Sequence, residues 1–326
     1  MDQGEVRVPY ETLHRVLRDI LLGLAMPPAR AEVCARLFAD ASRDGVPSHG
    51  LNLFPRFVAM IKSGVVDVRA RAERVGGRAA LERWNGRSAP GNLNAHDCMN
   101  AAIALSKTYG IGCVALANTN HWGRGAAYGW QAADAGFIGI CWTNTLANLP
   151  PWGADAPRVG NNPLVIAVPR SSGHVVLDMA MSQFSIGKLA IHRRSGEPLP
   201  VPGGYDASGE LTHDAAAILA SGRTLPIGFW KGSGLAILLD LVAVVISGGR
   251  ATHEISLKPE EETGLSQVFV AIDRSFVATG PETAAVDGIV DSVHARIPGQ
   301  RTLETRSRSL AEGVVVDRTI WETLIQ

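Results

Sequence analysis

The chain predicts a mixed α/β fold of the α+β kind, and three features carry that expectation. The first 65 residues read as helices, opening on a stripe at Leu13, Val16, Leu17, Ile20, Leu21 and Leu24 whose spacing keeps apolar side chains on one face. The middle changes period: GIGCVALAN and FIGICWTN are apolar runs of strand length flanking the helical segment AAYGWQAADAG. Further strand-like runs, LVIAVP, HVVLDM and SQVFVAID, stand apart rather than in a train of strand–helix–strand repeats.

In chain order, Pro9 to Ala25 is the first predicted helix. Pro27 and Pro28 open a second, which ends at Gly45, and Pro55 to Ile61 forms a third. Between the last two lies DGVPSHGLNLFPRF, Asp44 to Phe57, which sets His49 in a corner between Ser48 and Gly50. Glycines there permit a tight backbone and close approach by another molecule. Val65 to Asp67, Ala79 to Trp84 and Gly86 to Gly91 read as strands and turns, and Asn92 to Tyr109 as an amphipathic helix.

The segment Gly123-Arg124-Gly125-Ala126-Ala127-Tyr128 nearly spells a dinucleotide fingerprint. Its third glycine is displaced to Gly129, and Thr143 and Asn144 stand where an acidic residue would end the second strand, so a Rossmann domain is rejected. Asp178 closes an apolar strand, either as a functional carboxylate or as the cap of the following helix. Residues 193–226 form a polar excursion with one short helix, the kind of segment that serves as a lid or subunit contact. GFWKGSG then opens the apolar helix LAILLDLVAVVIS, predicted to be buried. Amides at such a start, with Lys231, suit an anionic group; a solvated lysine at a plain helix start is the equal alternative. Pro281 to Ala295 and Arg301 to Glu312 read as helices, and Val314 to Leu324 as a short strand and a helix.

Composition narrows the function. The 326 residues can bury a large core in two lobes, and 31 basic against 31 acidic residues give no electrostatic case for nucleic acid or an anionic membrane. Cys34, Cys98, Cys113 and Cys141 form no CxxC pair and read as reduced cytosolic thiols. The N-terminal residues lack a signal-peptide core and no apolar run is expected to reach membrane-spanning length, so the cytoplasm is the expected place.

His49 and His121 both sit in glycine-bordered corners, where an imidazole of ordinary pKa about 6.5 can give or take a proton. Taken singly, either is more commonly a core histidine. No histidine pair has zinc spacing on one helix, so no metal is expected. Ser48 and His49 are not expected to act as a dyad, because adjacent side chains rarely meet in the needed geometry. An anionic cofactor at a helix start, a histidine for the developing alkoxide and a donor for a carboxylate together fit reduction of a carbonyl.

The segments SHGLNLFPRF, NTNHWGRGAAYGWQAADAGFIGICWTNT, PPWGADAPRVGNNPLVIAVP, FWKGSG and LSQVFVAI resemble the malate/L-lactate dehydrogenase family that lacks the Rossmann fold, most closely its diketogulonate reductase branch. The resemblance implies a mainly antiparallel cofactor-binding sheet plus a helical domain built from both chain termini. It implies residues 1–78 and 283–326 as a substrate and dimerisation domain, residues 79–282 as the NAD(P)-binding domain with the excursion at 193–226, and a homodimer. The implied cofactor is NAD(H), with NADP(H) the alternative, and the implied substrate a sugar-derived keto acid. A cyclic imino acid, another 2-hydroxy acid of the malate, lactate or ureidoglycolate type, and a nucleotide-binding protein without turnover are the other readings.

By the same resemblance His49 is the proton donor and His121 the second candidate; Ser48, Arg56 and Thr145 lie on the substrate side, Thr145 also near the cofactor. The cofactor would be held by His174, Val175, Val176, Leu177, Asp178, Met179 and Ala180, by Trp230 and Lys231, and by Gly299, Gln300 and Arg301. The chain departs from the family pattern at Leu53, where the motif usually carries an arginine, and at Gln300, where it commonly carries a glutamate.

Overall fold

The computed structural model describes residues 4–259, 261–275 and 281–326, the last without the side chains of 281–283. A short strand β1 (Glu5–Val8) precedes helices α1 (Tyr10–Gly23) and α2 (Pro28–Arg43), a turn of 3-10 helix at Pro47–His49, and α3 (Phe54–Lys62). The apolar stripe does what its spacing requires: Leu13, Leu17 and Leu21 are buried against α2, where Cys34 and Phe38 meet Phe54 and Phe57.

A hairpin follows, β2 (Glu73–Arg78) and β3 (Leu81–Asn85), then α4 (Gly91–Tyr109), β4 (Ile111–Asn120), α5 (Ala126–Asp134) and β5 (Ile138–Thr143). Val65 to Asp67 is not a strand: Val66 instead packs into the helical core. The strand actually present, ERVGGR, is polar and mostly exposed, so it had no apolar alternation to reveal it.

Next come β6 (Leu164–Val168), β7 (Val175–Met179), α6 (Ile186–Ser195), the small pair β8 (Gly204–Tyr205) and β9 (Leu211–Thr212), α7 (Ala215–Ser221), α8 (Trp230–Ser247), α9 (Thr252–Ile255) and β10 (Thr263–Ile272). The chain closes with α10 (Pro281–Ser292), α11 (Gln300–Glu312), β11 (Val314–Asp317) and α12 (Arg318–Ile325).

Among the described residues, seven strands form one sheet in the order β2-β3-β4-β10-β5-β6-β7, with only β3 and β4 parallel. Successive β5 residues face opposite layers: Cys141 enters the core beneath α4 and α5, while Trp142 donates its indole N–H to the Leu239 carbonyl of α8 at 3.0 Å. Both ends of the chain meet in a second sheet, Val6 opposite Val316, over the α1–α2 core. The four cysteines are free.

Helix α8 is less buried than its composition predicts. Leu238, Leu241 and Val245 are open to solvent, and its 18 residues, mean hydropathy 1.6, have the length and composition of a short membrane span with a third of the window buried. The expectation that no apolar run reaches such length therefore does not hold for α8.

Candidate active site

The 3-10 turn that carries His49 is pinned from behind. A Cβ on Gly50 would lie 2.2 Å from Ser42 Oγ, so only glycine lets the chain pass this close to α2, and Ser42 Oγ accepts from the Leu51 amide at 2.8 Å. The close approach that Gly50 permits is to the chain's own helix rather than to another molecule. Ser48 and His49 do meet, contrary to expectation: Ser48 Oγ lies 2.9 Å from Nδ1. That contact occupies Nδ1 and leaves Nε2 for other partners.

His121 follows the end of β4. Its Nδ1 accepts from the Gly123 amide at 3.1 Å, so the neutral ring carries its proton on Nε2. The two imidazoles stack, with centroids 5.8 Å apart and planes 28° from parallel. Burial, then the charges of His121 and Arg124, lowers His49 to about 4, which keeps its ring neutral at pH 7.

Arg124 emerges from the turn between the two glycines and spans the helical and sheet regions. It donates to Asp44 at 2.5 Å and to Thr302 Oγ1 at 3.2 Å. Asp44, at the end of α2, also accepts from Arg306 at 2.7 and 2.8 Å and from Arg43 at 2.8 Å. Burial pushes the Asp44 carboxyl up, but the Arg306 hydrogen bonds and the charges of Arg124 and Arg43 outweigh it and leave it at about 2.

Two of the cavities that adjoin the histidine pair bear on the chemistry. The larger, about 530 Å³, is lined by His49, Trp122, Arg124 and Asn161, by Val176, Leu177, Asp178 and Ala180 of β7 and the residues after it, and by Arg296, Ile297, Gly299 and Arg301. The narrower, about 20 Å³, is lined by His121, Asn120, Leu53, Phe57, Met60, Arg56 and Glu262. Edge strand β7 and the start of α11 form one wall of the larger cavity, because the Val176 amide donates to the Pro298 carbonyl at 3.1 Å and so ties the edge to the turn before α11.

Asp178 caps a helix, but not the following one: its Oδ2 accepts from the Ala126 amide of α5 at 2.8 Å, whereas α6 is capped by Ser185. Burial raises this carboxyl; the Ala126 amide and Arg124 oppose the shift.

The remaining candidates divide. His174 does not line the large cavity; it braces the turn before β7 through the Arg170 amide at 3.0 Å and Asp134 at 3.0 Å. Val175 and Met179 also lie outside it. Gln300 donates to Glu304 at 3.0 Å and accepts from the Ile297 amide at 3.3 Å, turned toward its own helix. Thr145 is buried in a polar net, with its hydroxyl on Asn161 at 3.0 Å and its amide on Asn162 at 3.0 Å. Trp230 and Lys231 begin α8 away from the cavity within this chain, with Trp230 65 % exposed. Arg56 reaches the smaller cavity, paired to Glu262 at 3.0 Å.

Arg124, Asn161, Ser185, Arg296 and Thr302 line the larger cavity although the sequence did not single them out. Only Arg124 had a local signal, its place between two glycines. The donor set suits a pyridine dinucleotide: Trp122 and Ile297 offer apolar walls for rings, and three arginines offer charge for phosphates.

The family model described as malate/L-lactate dehydrogenase matches residues 8–325. The 2,3-diketo-L-gulonate reductase of Citrobacter koseri is 41% identical over 97% of this chain and 98% of its own length, and that of Escherichia coli K12 is 39% identical over the same shares. Among solved structures, the sulfolactate dehydrogenase of Methanocaldococcus jannaschii superposes with a TM-score of 0.90 at 27% identity, covering 98% of this chain and 95% of the other. The delta1-piperideine-2-carboxylate reductase of Pseudomonas syringae gives 0.87 at 29% identity, covering 98% of each chain. With a family model spanning nearly its whole length and relatives near 40% identity, the chain belongs to the malate/L-lactate dehydrogenase family of oxidoreductases.

Proposed function

We propose that this chain reduces the keto group of a sugar-derived 2-keto acid of the 2,3-diketo-L-gulonate type, using NAD(P)H. One observation carries the reading: a stacked histidine pair lies between an arginine-lined cavity large enough for much of a dinucleotide and a narrower pocket holding Arg56. The nicotinamide cofactor, when bound, supplies the hydride.

The chain's own residues do the rest. His49, in its charged form, gives the proton to the developing alkoxide and is oriented through Nδ1 by Ser48. His121 presents Nε2–H beside it as a donor and is the second candidate for the transfer. Arg56 takes the substrate carboxylate, on exchange from Glu262. Residues 1–78 and 283–326 serve the substrate side and part of the subunit contact, and residues 79–282 hold the cofactor together with the turn at Gly299 to Arg301. The exposed apolar face of α8 supports a homodimer, in which Trp230 and Lys231 would lie at the subunit contact. Four free thiols support a reducing, cytoplasmic setting.

A second reading is favoured by Leu53, which makes the His121 pocket apolar where the family motif usually has an arginine. Such a wall suits a cyclic imino acid or an uncharged 2-hydroxy acid tail. One experiment decides: purified protein is assayed for NADH and NADPH oxidation with diketogulonate, a panel of 2-keto acids and cyclic imino acids. Ketone turnover supports the first reading and imine turnover the second; no turnover of any substrate removes both.

A further inference from the structure

Six buried side-chain polar atoms among the described residues have no hydrogen-bond partner, and only one of them belongs to a residue lining either cavity of the histidine pair. It is Oδ1 of Asn120, which ends β4 one residue before His121 and lines the narrow pocket. The residue is 2 % exposed, and an unpaired acceptor so deeply buried is both rare and costly.

Everything else about Asn120 has an explanation. Its side-chain nitrogen donates to the Ser88 and Ala89 carbonyls, both at 3.0 Å, which fixes the amide's orientation, since an oxygen placed there would face two other oxygens. That clasp holds a strained turn: Arg87 and Ser88 sit at φ 52° and 54° just before α4. The main chain is wedged as well, because a Cβ on Gly91 would lie 2.2 Å from the Asn120 carbonyl oxygen. Support of the turn accounts for the nitrogen and leaves the oxygen without a role.

The pocket around it is rich in donors and apolar surface. Arg56 and His121 Nε2–H donate, and Leu53, Phe57 and Met60 are apolar. Of the other side-chain acceptors among the described lining residues, Glu262 is held by Arg56 and Asn92 Oδ1 accepts from the Leu93 amide at 2.9 Å. Asn120 Oδ1 is the acceptor left uncommitted, on a rigid backbone, beside His121.

We propose that Asn120 is a specificity-determining residue, whose Oδ1 accepts a hydrogen bond from a hydroxyl on the substrate's carbon chain. The pocket then selects hydroxylated keto acids over keto acids of equal length with a plain hydrocarbon chain, which leave the buried oxygen unpaired. This rests on the keto-acid reading above and names the substrate feature that the site reads.

The test compares six-carbon substrates on the purified protein with saturating reduced nicotinamide cofactor: 2,3-diketogulonate and 2-ketogulonate against 2-ketohexanoate. The wild type is expected to show kcat/KM roughly 10- to 100-fold higher for the hydroxylated acids. Asn120→Ala and the milder Asn120→Ser should bring that ratio toward one, chiefly by loss on the hydroxylated acids, with circular dichroism and thermal unfolding reporting that each variant folds. An equal loss on all three substrates, with the ratio kept, would make Asn120 a structural clasp alone and overturn the assignment. A wild type that turns over 2-ketohexanoate as well as the hydroxylated acids also overturns it, with no variant needed, and leaves the reductase reading standing. Failure to turn over any keto acid removes that reading and this inference with it.

Discussion

His49 carries its own pH test. Its ring is held at about 4, so the neutral form dominates at pH 7 and suits accepting a proton from a hydroxyl; giving one to an alkoxide needs the minor charged form. An anionic substrate group brought beside the ring favours the imidazolium. In the reductive direction kcat/KM is therefore expected to fall as pH rises through neutrality, and in the oxidative direction to stay level until pH drops toward 4. A reductive profile that rises with pH would move the proton to another group. His49→Ala should lower kcat by roughly 10²- to 10⁴-fold; an unaltered kcat would hand the role to His121. Arg56 offers a separate reading at this scale. Arg56→Ala should raise the keto-acid KM at least about tenfold with kcat little changed, since loss of a charge-assisted pair costs about 1.5–3 kcal/mol. Glu262→Gln, which frees Arg56, should lower that KM; parallel increases in both variants would mean that the pair is merely structural.

At the scale of elements, Asp44 joins the end of α2 to α11 through Arg306 and to the turn before α5 through Arg124, with Arg43 of α2 as its third cation. Asp44→Asn leaves those cations without a buried counter-charge and should cost about 3–5 kcal/mol in urea unfolding. With a folded pKa of about 2 against an ordinary 3.8, the stabilisation is present above pH 4 and is lost as pH falls toward 2. Helix α8 makes the other prediction. Val245, 77 % exposed, sits on its open apolar face. Val245→Asp should convert a dimer to a monomer by light scattering; an unchanged mass would mean that the face is covered some other way.

Across the whole molecule, most elements were legible because their patterns are local. The α1 stripe, the proline at the start of α2 and the runs of β4, β5, β6, β7 and β10 each bury a face that their own spacing defines. What escaped was non-local. Strand β2 is held by backbone pairing to β3 and carries almost no apolar signal, and β1 exists because β11 returns from the far end of the chain to pair with it. The site behaves in the same way. SHG and GRG could be marked as corners, yet nothing in their spacing says that the rings of His49 and His121 stack, or that Asp44 is the carboxylate that neutralises Arg124.

Taken alone, the amino-acid order determined the helical ends, the strand runs of the middle, the absence of repeated strand–helix–strand units and, through its motifs, the family, since these rest on periodicity and on motifs readable residue by residue; the antiparallel sheet followed only from the family resemblance. The tertiary structure decided which charges cancel and which stay free: Asp44 takes Arg124 and Arg306, Glu262 takes Arg56, and Arg301 remains on the cavity wall. Partnership between charges depends on distances across the fold, and sequence separation, 262 residues between Asp44 and Arg306, carries no information about them.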